Sequence, residues 1–406
     1  MSFIKIPMKG MRDILPEEME IRDFVINKIC EVYRQYGFKK VETPCIEHIE
    51  NIENNQGGEN SKLIFKILKR GEKLDLEGGL ENISDCGLRY DLTVPLSRYY
   101  SNNMNNLDNP FKALQIGNVW RAERPQKGRF RQFVQCDIDI FGEKNNLAEV
   151  ELISATSKFL KVIGLEKFKI VINDRRILKA MALNAGFAND ECNSVFISLD
   201  KMDKIGIDGV RSELIEKKYD INVVNNYLNL FDNNSNNVES FCSQISEKYL
   251  SKEIINNLIE IIDISRNTNF VNIEFDPTLV RGMSYYTGPI FEIKVEGYPG
   301  SIGGGGRYDE MVEKYANISV PACGFSIGFE RLISILLENK FVIPNEAKKY
   351  AIVIDKNSPF EIITESLEKA NELRNKGNIV NVLFKSKNFK YQISTLENNG
   401  YEIIIK

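Results

Sequence analysis

The feature that most constrains this chain is a pair of strand-like segments, Phe111–Trp120 and Arg129–Phe141, joined by the loop AERPQKG with its Pro125 and Gly128. Two such segments around a proline- and glycine-bearing connection predict an antiparallel hairpin. Successive side chains of a strand point to opposite faces, so the second arm sorts into two sets. Phe130, Gln132, Val134, Cys136, Ile138 and Ile140 form a packing face, while Arg129, Arg131, Phe133, Gln135, Asp137, Asp139 and Phe141 form the other. That second face runs from cations through an aromatic ring and an amide to carboxylates. A solvated strand of mixed charge is one reading of it. A graded ligand site is the other. Arginine forks suit phosphate oxygens, an aromatic face stacks on a base, and carboxylates further along meet a cationic or hydrogen-bond-donating group.

The rest of the composition narrows the choice. A chain of 406 residues exceeds one ordinary core and predicts two or three domains. With a net charge of -4, any nucleic-acid contact must come from local patches and not from a basic surface. Seven scattered cysteines without a C-x-x-C pair, and a single histidine, His48, exclude a Cys/His zinc set and point to reduced cysteines. One histidine also argues against a Ser-His-Asp hydrolase, and His48, just past Pro44, reads as structural. The run GGGGRYD is neither a dinucleotide fingerprint nor a phosphate loop ending in Gly-Lys-Ser/Thr. No signal peptide opens the sequence, and no apolar run approaches the ~20 residues of a membrane helix. A cytoplasmic location is expected.

Along the chain, Pro16–Tyr36 predicts a helix stopped by Gly37, and FKKVETP a strand ended by Pro44. Asn173 to Arg266 is mostly helical in pattern, with NNYLNLFDNNSNN as a loop inside it. Strand character returns from Val271 to Ile293, before the glycine run 303–306, and GFSIGFERLISILLE predicts a strand feeding a helix. After a polar connector near Pro344, YAIVI, a helix from Pro359 to Asn375, IVNVLF, a short helix and YEIIIK predict a small α/β module.

RAERPQKGRFRQF resembles motif 2 of the class II aminoacyl-tRNA synthetases, and of the histidyl-tRNA synthetase family in particular. KGMRDILPEE and YGFKKVETPCIE are similar to that family's N-terminal and motif 1 segments. LRYDLTVPLSRY resembles its amino-acid-binding strand, LVRGMSYYTGPIFE and GGGGRYDEM its two histidine-specific motifs, and GFSIGFERL its motif 3. The likeness covers Lys9 to about Leu337. It implies an α+β fold: a class II antiparallel sheet flanked by helices, with a helical insertion and a small C-terminal α/β domain. The corresponding division is residues 1–172 and 267–340 for the catalytic domain, 173–266 for the insertion, and 347–406 for a shortened anticodon-binding-like domain.

The resemblance implies a histidine--tRNA ligase using ATP and Mg2+, with histidine and tRNA(His) as partners and a homodimer built on motif 1. It places Arg121 on the α-phosphate and the substrate carboxylate, and Arg281 on the opposite side of that phosphate, also touching histidine. Glu123, Arg129, Phe133 and Arg331 would hold the rest of ATP. Asp91, Thr93 and Gln135 would receive the α-ammonium group. Asp139 and Tyr286 would contact the imidazole, with Tyr308 and a flexible glycine backbone closing the pocket, and Gln126 would face the tRNA acceptor end. No protein-held metal site is expected. Arg281 and Tyr286 cannot share one strand face, which predicts a turn or bulge near Gly282. Two departures stand out. Ser284 replaces the family's usual aspartate, and a chain ending at Lys406 leaves an open sheet edge. These keep two rivals in view: a paralog such as the regulatory subunit of ATP phosphoribosyltransferase, and an adenylating ligase with another acceptor. Arg281→Ala is expected to abolish most activation with little loss of stability.

Overall fold

The computed structural model describes residues 3–56, 62–71, 74, 83–126, 128–231, 237–269, 271–282, 285–344 and 346–406. Contacts divide the chain into two compact units, Met1–Lys340 and Phe341–Lys406.

The first unit opens with helix α1, Pro16–Gln35, where the fixed φ of Pro16 suits the first turn. Val25, Ile29, Val32 and Tyr33 recur at helical spacing and are buried. Gly37 follows at φ +83°, a backbone state that favours glycine. The strand expected over FKKVETP is shorter than its alternation suggests: β1 is only Lys39–Lys40. The Val41 N–H still reaches the Leu114 carbonyl, but Thr43 then pairs through its hydroxyl with the Gln115 side chain (3.0 Å). A side-chain link has replaced the ladder before Pro44.

Strands β2 (Ile46–His48), β3 (Lys66–Leu68) and β4 (Ser84–Leu88) make a small antiparallel sheet in the order β2-β4-β3. Helix α2, Ile49–Gln56, packs against it, and His48 is exposed there. The stretch LRYDLTVPLSRYY is not one strand. It is the end of β4, a turn, and helix α3, Thr93–Asn103. Asp91 makes that switch, because its carboxylate accepts the Val94 N–H at 3.0 Å.

The hairpin forms as β5, Phe111–Trp120, and β6, Gln132–Phe141. Then follow α4 (Leu147–Val162) and β7 (Phe168–Asp174). Six helices come next: α5 (Arg175–Ala185), α6 (Cys192–Leu199), α7 (Met202–Glu216), α8 (Ile221–Leu228), α9 (Val238–Cys242) and α10 (Lys252–Asn269). Half of NNYLNLFDNNSNN belongs to this helical block and is not a loop: α8 reaches Leu228, and Tyr227, Leu228 and Leu230 are buried. Residues 232–236 lie outside the described residues.

The unit ends with β8 (Ile273–Phe275), β9 (Pro289–Val295), β10 (Ser301–Arg307), α11 (Glu313–Ala316), β11 (Ala322–Gly328) and α12 (Phe329–Glu338). No single strand spans Val271–Ile293; Gly282 sits in a bend between β8 and β9. The central sheet runs β1-β5-β6-β11-β10-β9-β7-β8, antiparallel except for the β1–β5 and β7–β8 pairs. The glycine run is therefore a hydrogen-bonded interior strand. The reason is close approach: a Cβ on Gly305 would lie 1.9 Å from the Gly324 carbonyl oxygen.

Helices α1 and α12 are tied together beneath the sheet. Arg22 grips Glu330 through two bonds of 2.7 Å, and Glu330 also accepts the Val134 N–H at 3.3 Å. That bidentate pair holds the N-terminal helix, α12 and β6 in one register.

In the second unit, β12 (Lys349–Ile354) lies between β13 (Ile379–Phe384) and β14 (Tyr401–Ile405), all parallel. Alternation divides its core. Ile352 and Ile354 pack with Ala370 of α13 (Phe360–Asn375), while Ala351 and Val353 pack with Leu396 of α14 (Phe389–Asn398).

Candidate active site

A cavity of about 370 Å³ opens over the middle of the central sheet. The predicted residues Asp91, Thr93, Arg121, Glu123, Arg129, Phe133, Gln135, Asp139, Arg281, Tyr286, Tyr308 and Arg331 all line it. Gln126 does not. It sits exposed at the hairpin tip, where its N–H bonds the Arg129 carbonyl oxygen at 3.1 Å. Met283 and Ser284 lie outside the described residues.

Strand β6 supplies the floor. Phe133, Gln135, Asp137 and Asp139 share one face, as period 2 requires, but the alternation does not extend back to Arg129. The strand begins at Gln132, and a bridge between Gln126 and Arg129 precedes it. Phe130, expected on the packing face, therefore lines the cavity. Arg131, expected on the site face, turns away and donates to the Glu123 and Lys9 carbonyls at 3.1 and 3.4 Å.

The cationic end holds four arginines in different settings. Arg121 donates to the Tyr90 carbonyl (3.1 Å) and lies over the Tyr90 and Phe133 rings, 4.3 and 5.2 Å from their centroids. Arg281 forms a 2.5 Å ion pair with Glu292 of β9, and its Nε has no hydrogen-bond partner. It crosses Gly304, where a Cβ would come within 2.8 Å of its Nη1. Burial works against the Arg281 charge, but Glu292 beside it outweighs that and raises its pKa. Arg331 donates to the Ser301 carbonyl; burial and then the nearby Arg129 charge lower its pKa. Arg129 pairs with Glu123 at 3.6 Å.

The acidic end is deeper. Tyr308 donates to Asp139 Oδ1 at 2.5 Å, and Asp139 Oδ2 is buried without a partner. Burial pushes the Asp139 carboxyl up to about 7, against the bond from Tyr308 and with help from Asp91. Phe141 and Tyr285 pack on the Tyr308 ring at 6.2 and 5.8 Å between centroids. Gly324 makes room for Asp139, because a Cβ there would lie 2.0 Å from Oδ1. Gln135 Oε1 and Asp137 Oδ1 are likewise buried and unpartnered. These orphan atoms point to a polar ligand, since buried polar groups are ordinarily satisfied.

Sequence reasoning missed Glu292, Tyr285 and Asp200. An acid inside the apolar run PIFEIKV was the available signal for Glu292. Asp200 follows α6 in the helical block, and nothing local in the sequence connects it with a cavity lined by β6 and β10.

A model of the histidyl-tRNA synthetase family matches residues 10–332. The chain belongs to that family. A curated relative named histidine--tRNA ligase, from Leifsonia xyli, is 43% identical over 343 residues, covering 81% of this chain and 80% of its own. A second, named "Probable histidine--tRNA ligase", from Tropheryma whipplei, is 40% identical over 98% of this chain and 94% of its own. Among solved structures, the histidyl-tRNA synthetase of Nostoc sp. PCC 7120 superposes with a TM-score of 0.80 at 25% identity, covering 100% of this chain and 92% of that one. A Bacillus halodurans protein, titled as an ATP phosphoribosyltransferase regulatory subunit/histidyl-tRNA synthetase, has a TM-score of 0.77 at 22% identity over 100% of this chain and 99% of that one. That second likeness shows the fold alone. The α+β fold expected of the histidyl-tRNA synthetase family, an antiparallel sheet flanked by helices with a small C-terminal α/β unit, is the one observed.

Proposed function

We propose that this chain is a histidine--tRNA ligase whose sheet cavity makes histidyl-adenylate and passes the histidyl group to the 3′ end of tRNA(His). The observation that carries the reading is the joining of arginines and buried unpartnered carboxylate and amide atoms in one cavity. Curated relatives named histidine--tRNA ligase support it over the regulatory-paralog reading.

In the first step an oxygen of the histidine carboxylate attacks the α-phosphorus of ATP, and the bond to pyrophosphate breaks. The nucleophile is already ionised at neutral pH, so no general base is required. Arg121, just past β5, and Arg281, between β8 and β9, approach the α-phosphoryl group from different segments and stabilise its growing negative charge. Glu292 holds the Arg281 fork in place beforehand, and preorganised donors need no rearrangement during the reaction. Phe133 and Arg331 sandwich the adenine, with Glu123 and Arg129 at the base and the γ-phosphate. In the second step a ribose hydroxyl of the tRNA 3′ end attacks the acyl carbon and AMP leaves, with Gln126 facing the acceptor end.

Histidine selection rests on the deep end of the cavity. Tyr308 fixes one Asp139 oxygen, so the other accepts an imidazole N–H, and Tyr286 meets the opposite side of the ring. Asp91, Thr93 and Gln135 take the α-ammonium group. A side chain lacking both ring nitrogens leaves buried polar atoms unpaired there and is rejected.

No cluster of three metal-binding side chains occurs among the described residues. The cavity acids Glu123 and Glu292 are each paired with an arginine, so a Mg2+ ion would be held chiefly by ATP phosphates and water, as this ion prefers. When bound, it shares the phosphate charge. The protein is also proposed to act as a cytoplasmic homodimer joined through the motif 1 segment, where Ile46 is 50% exposed; among the described residues no helix is long and apolar enough to cross a membrane. The test is charging: purified protein, ATP and labelled histidine should load tRNA(His). Adenylate formation without loading would refute the transfer step.

A further inference from the structure

We propose that Asp137 contacts the α-ammonium group of the amino-acid substrate directly, so that the substrate's charge is read by two carboxylates and not by Asp91 alone. The proposal rests on the histidine reading of the cavity and deepens it.

Strand register places the residue. Asp137 lies opposite Gln115 of β5 and Ser326 of β11; Ser326 lies opposite Gly304 of β10, and Gly304 opposite Glu292 of β9. These five residues form one rung across the cavity floor. At the far side of that rung Arg281 crosses Gly304 and pairs with Glu292. Neighbouring strands are ~4.8 Å apart, so Asp137 stands about two spacings from the strand that Arg281 crosses. An α-amino acid carries its carboxylate and ammonium on one carbon. A carboxylate on Arg281 then brings the ammonium back along the rung towards Asp137.

Partner accounting points the same way. Asp137 is 97% buried (3% exposed) and lines the cavity, yet its Oδ1 has no hydrogen-bond partner. The carboxylate's other polar neighbours carry no charge: a long 3.4 Å contact from Gln135 and the Ser326 hydroxyl. Asp91, by contrast, already spends one oxygen on the Val94 N–H that starts α3. The two arginines near enough to feel its charge are engaged elsewhere, Arg89 with the Asn118 and Thr43 carbonyls at 2.7 Å and Arg121 with the Tyr90 carbonyl at 3.1 Å. A buried carboxyl with no cation of its own is costly unless a ligand supplies one. Burial, then the neighbouring Asp139, pushes the Asp137 carboxyl well above the ordinary carboxylate range, as expected of an acid awaiting a cationic partner.

The test compares two probes by calorimetry, histidine and 3-(imidazol-4-yl)propionate, which keeps the ring and carboxylate but lacks the amine. Asp137→Asn is nearly isosteric, and ATP binding checks that the variant keeps its fold. The variant should bind histidine about 10- to 100-fold more weakly, the scale of a lost charge-assisted hydrogen bond. Its affinity for the amine-free probe should change by less than about threefold. Asp139→Asn should weaken both probes together. If Asp137→Asn weakens both equally, or leaves histidine unaffected, the ammonium assignment is overturned while the histidine site stands. If the unaltered protein binds neither probe, the histidine reading itself fails, and the assignment with it.

Discussion

Replacing Arg281 tests the link between geometry and rate most sharply, because its two jobs can be separated. The Arg281–Glu292 pair is close, at 2.5 Å, and both side chains are about four-fifths buried (21% and 18% exposed). At an effective dielectric constant near 20, charges ~4 Å apart attract by about 4 kcal/mol, part of which desolvation offsets. Arg281→Ala is therefore expected to lose roughly 2–3 kcal/mol of stability by leaving Glu292 unpaired, which corrects the expectation of little loss. Its effect on chemistry should be larger. Removing one preorganised donor from a developing oxyanion costs about 3–4 kcal/mol, or 10²–10³ in rate. The assay is histidine-dependent exchange of pyrophosphate into ATP, run beside urea unfolding. The companion is the double variant Arg281→Ala with Glu292→Gln, which removes the stranded charge. Its unfolding midpoint should recover most of the loss while exchange stays about 10²–10³-fold down. Recovered exchange in the double variant would refute the reasoning, since Arg281 would then act only by neutralising Glu292. So would a single variant within tenfold of the unaltered rate.

Four other outcomes follow from contacts in the same unit. With Asp139 at about 7, kcat/KM for histidine should fall as pH drops below 7, and the fall should be shallower in Asp139→Asn. Because that folded value lies above the ordinary carboxylate value, the unliganded protein should lose stability relative to Asp139→Asn as pH rises from about 4 to about 7; parallel urea midpoints would contradict this. Gly304→Ala would set a Cβ 2.6 Å from the Phe291 carbonyl oxygen and 2.8 Å from Arg281 Nη1, so exchange should drop by about 10²-fold through displaced Arg281, with histidine binding within a few-fold. Arg307→Met strands the fully buried Glu149, which Arg307 grips at 2.6 and 2.8 Å, and urea unfolding should report a loss of about 3–5 kcal/mol.

What was legible in the sequence is what strand and helix periods encode. The face Phe133, Gln135, Asp137 and Asp139 follows from period 2, and Pro16–Gln35 from helical spacing. The face failed beyond Gln132, where the Gln126–Arg129 bridge ends the regular strand and no residue type announces that end. The strand at the glycine run was not legible because glycine marks both mobile loops and strands pressed against a neighbouring backbone. Only the β10–β11 pairing, with Gly305 against Gly324, decides between them. Glu292 and Asp200 became visible only through tertiary contact, since each faces Arg281 from a different segment. The pairing of Arg22 with Glu330 spans most of the first unit and has no local signature at all.

The central claim is that this cavity joins histidine to AMP. The measurement is pyrophosphate exchange into ATP with purified protein, comparing histidine with the other amino acids one at a time. The account predicts exchange that depends on histidine and is negligible with the rest. Absence of histidine-dependent exchange, with ATP still bound, would contradict it.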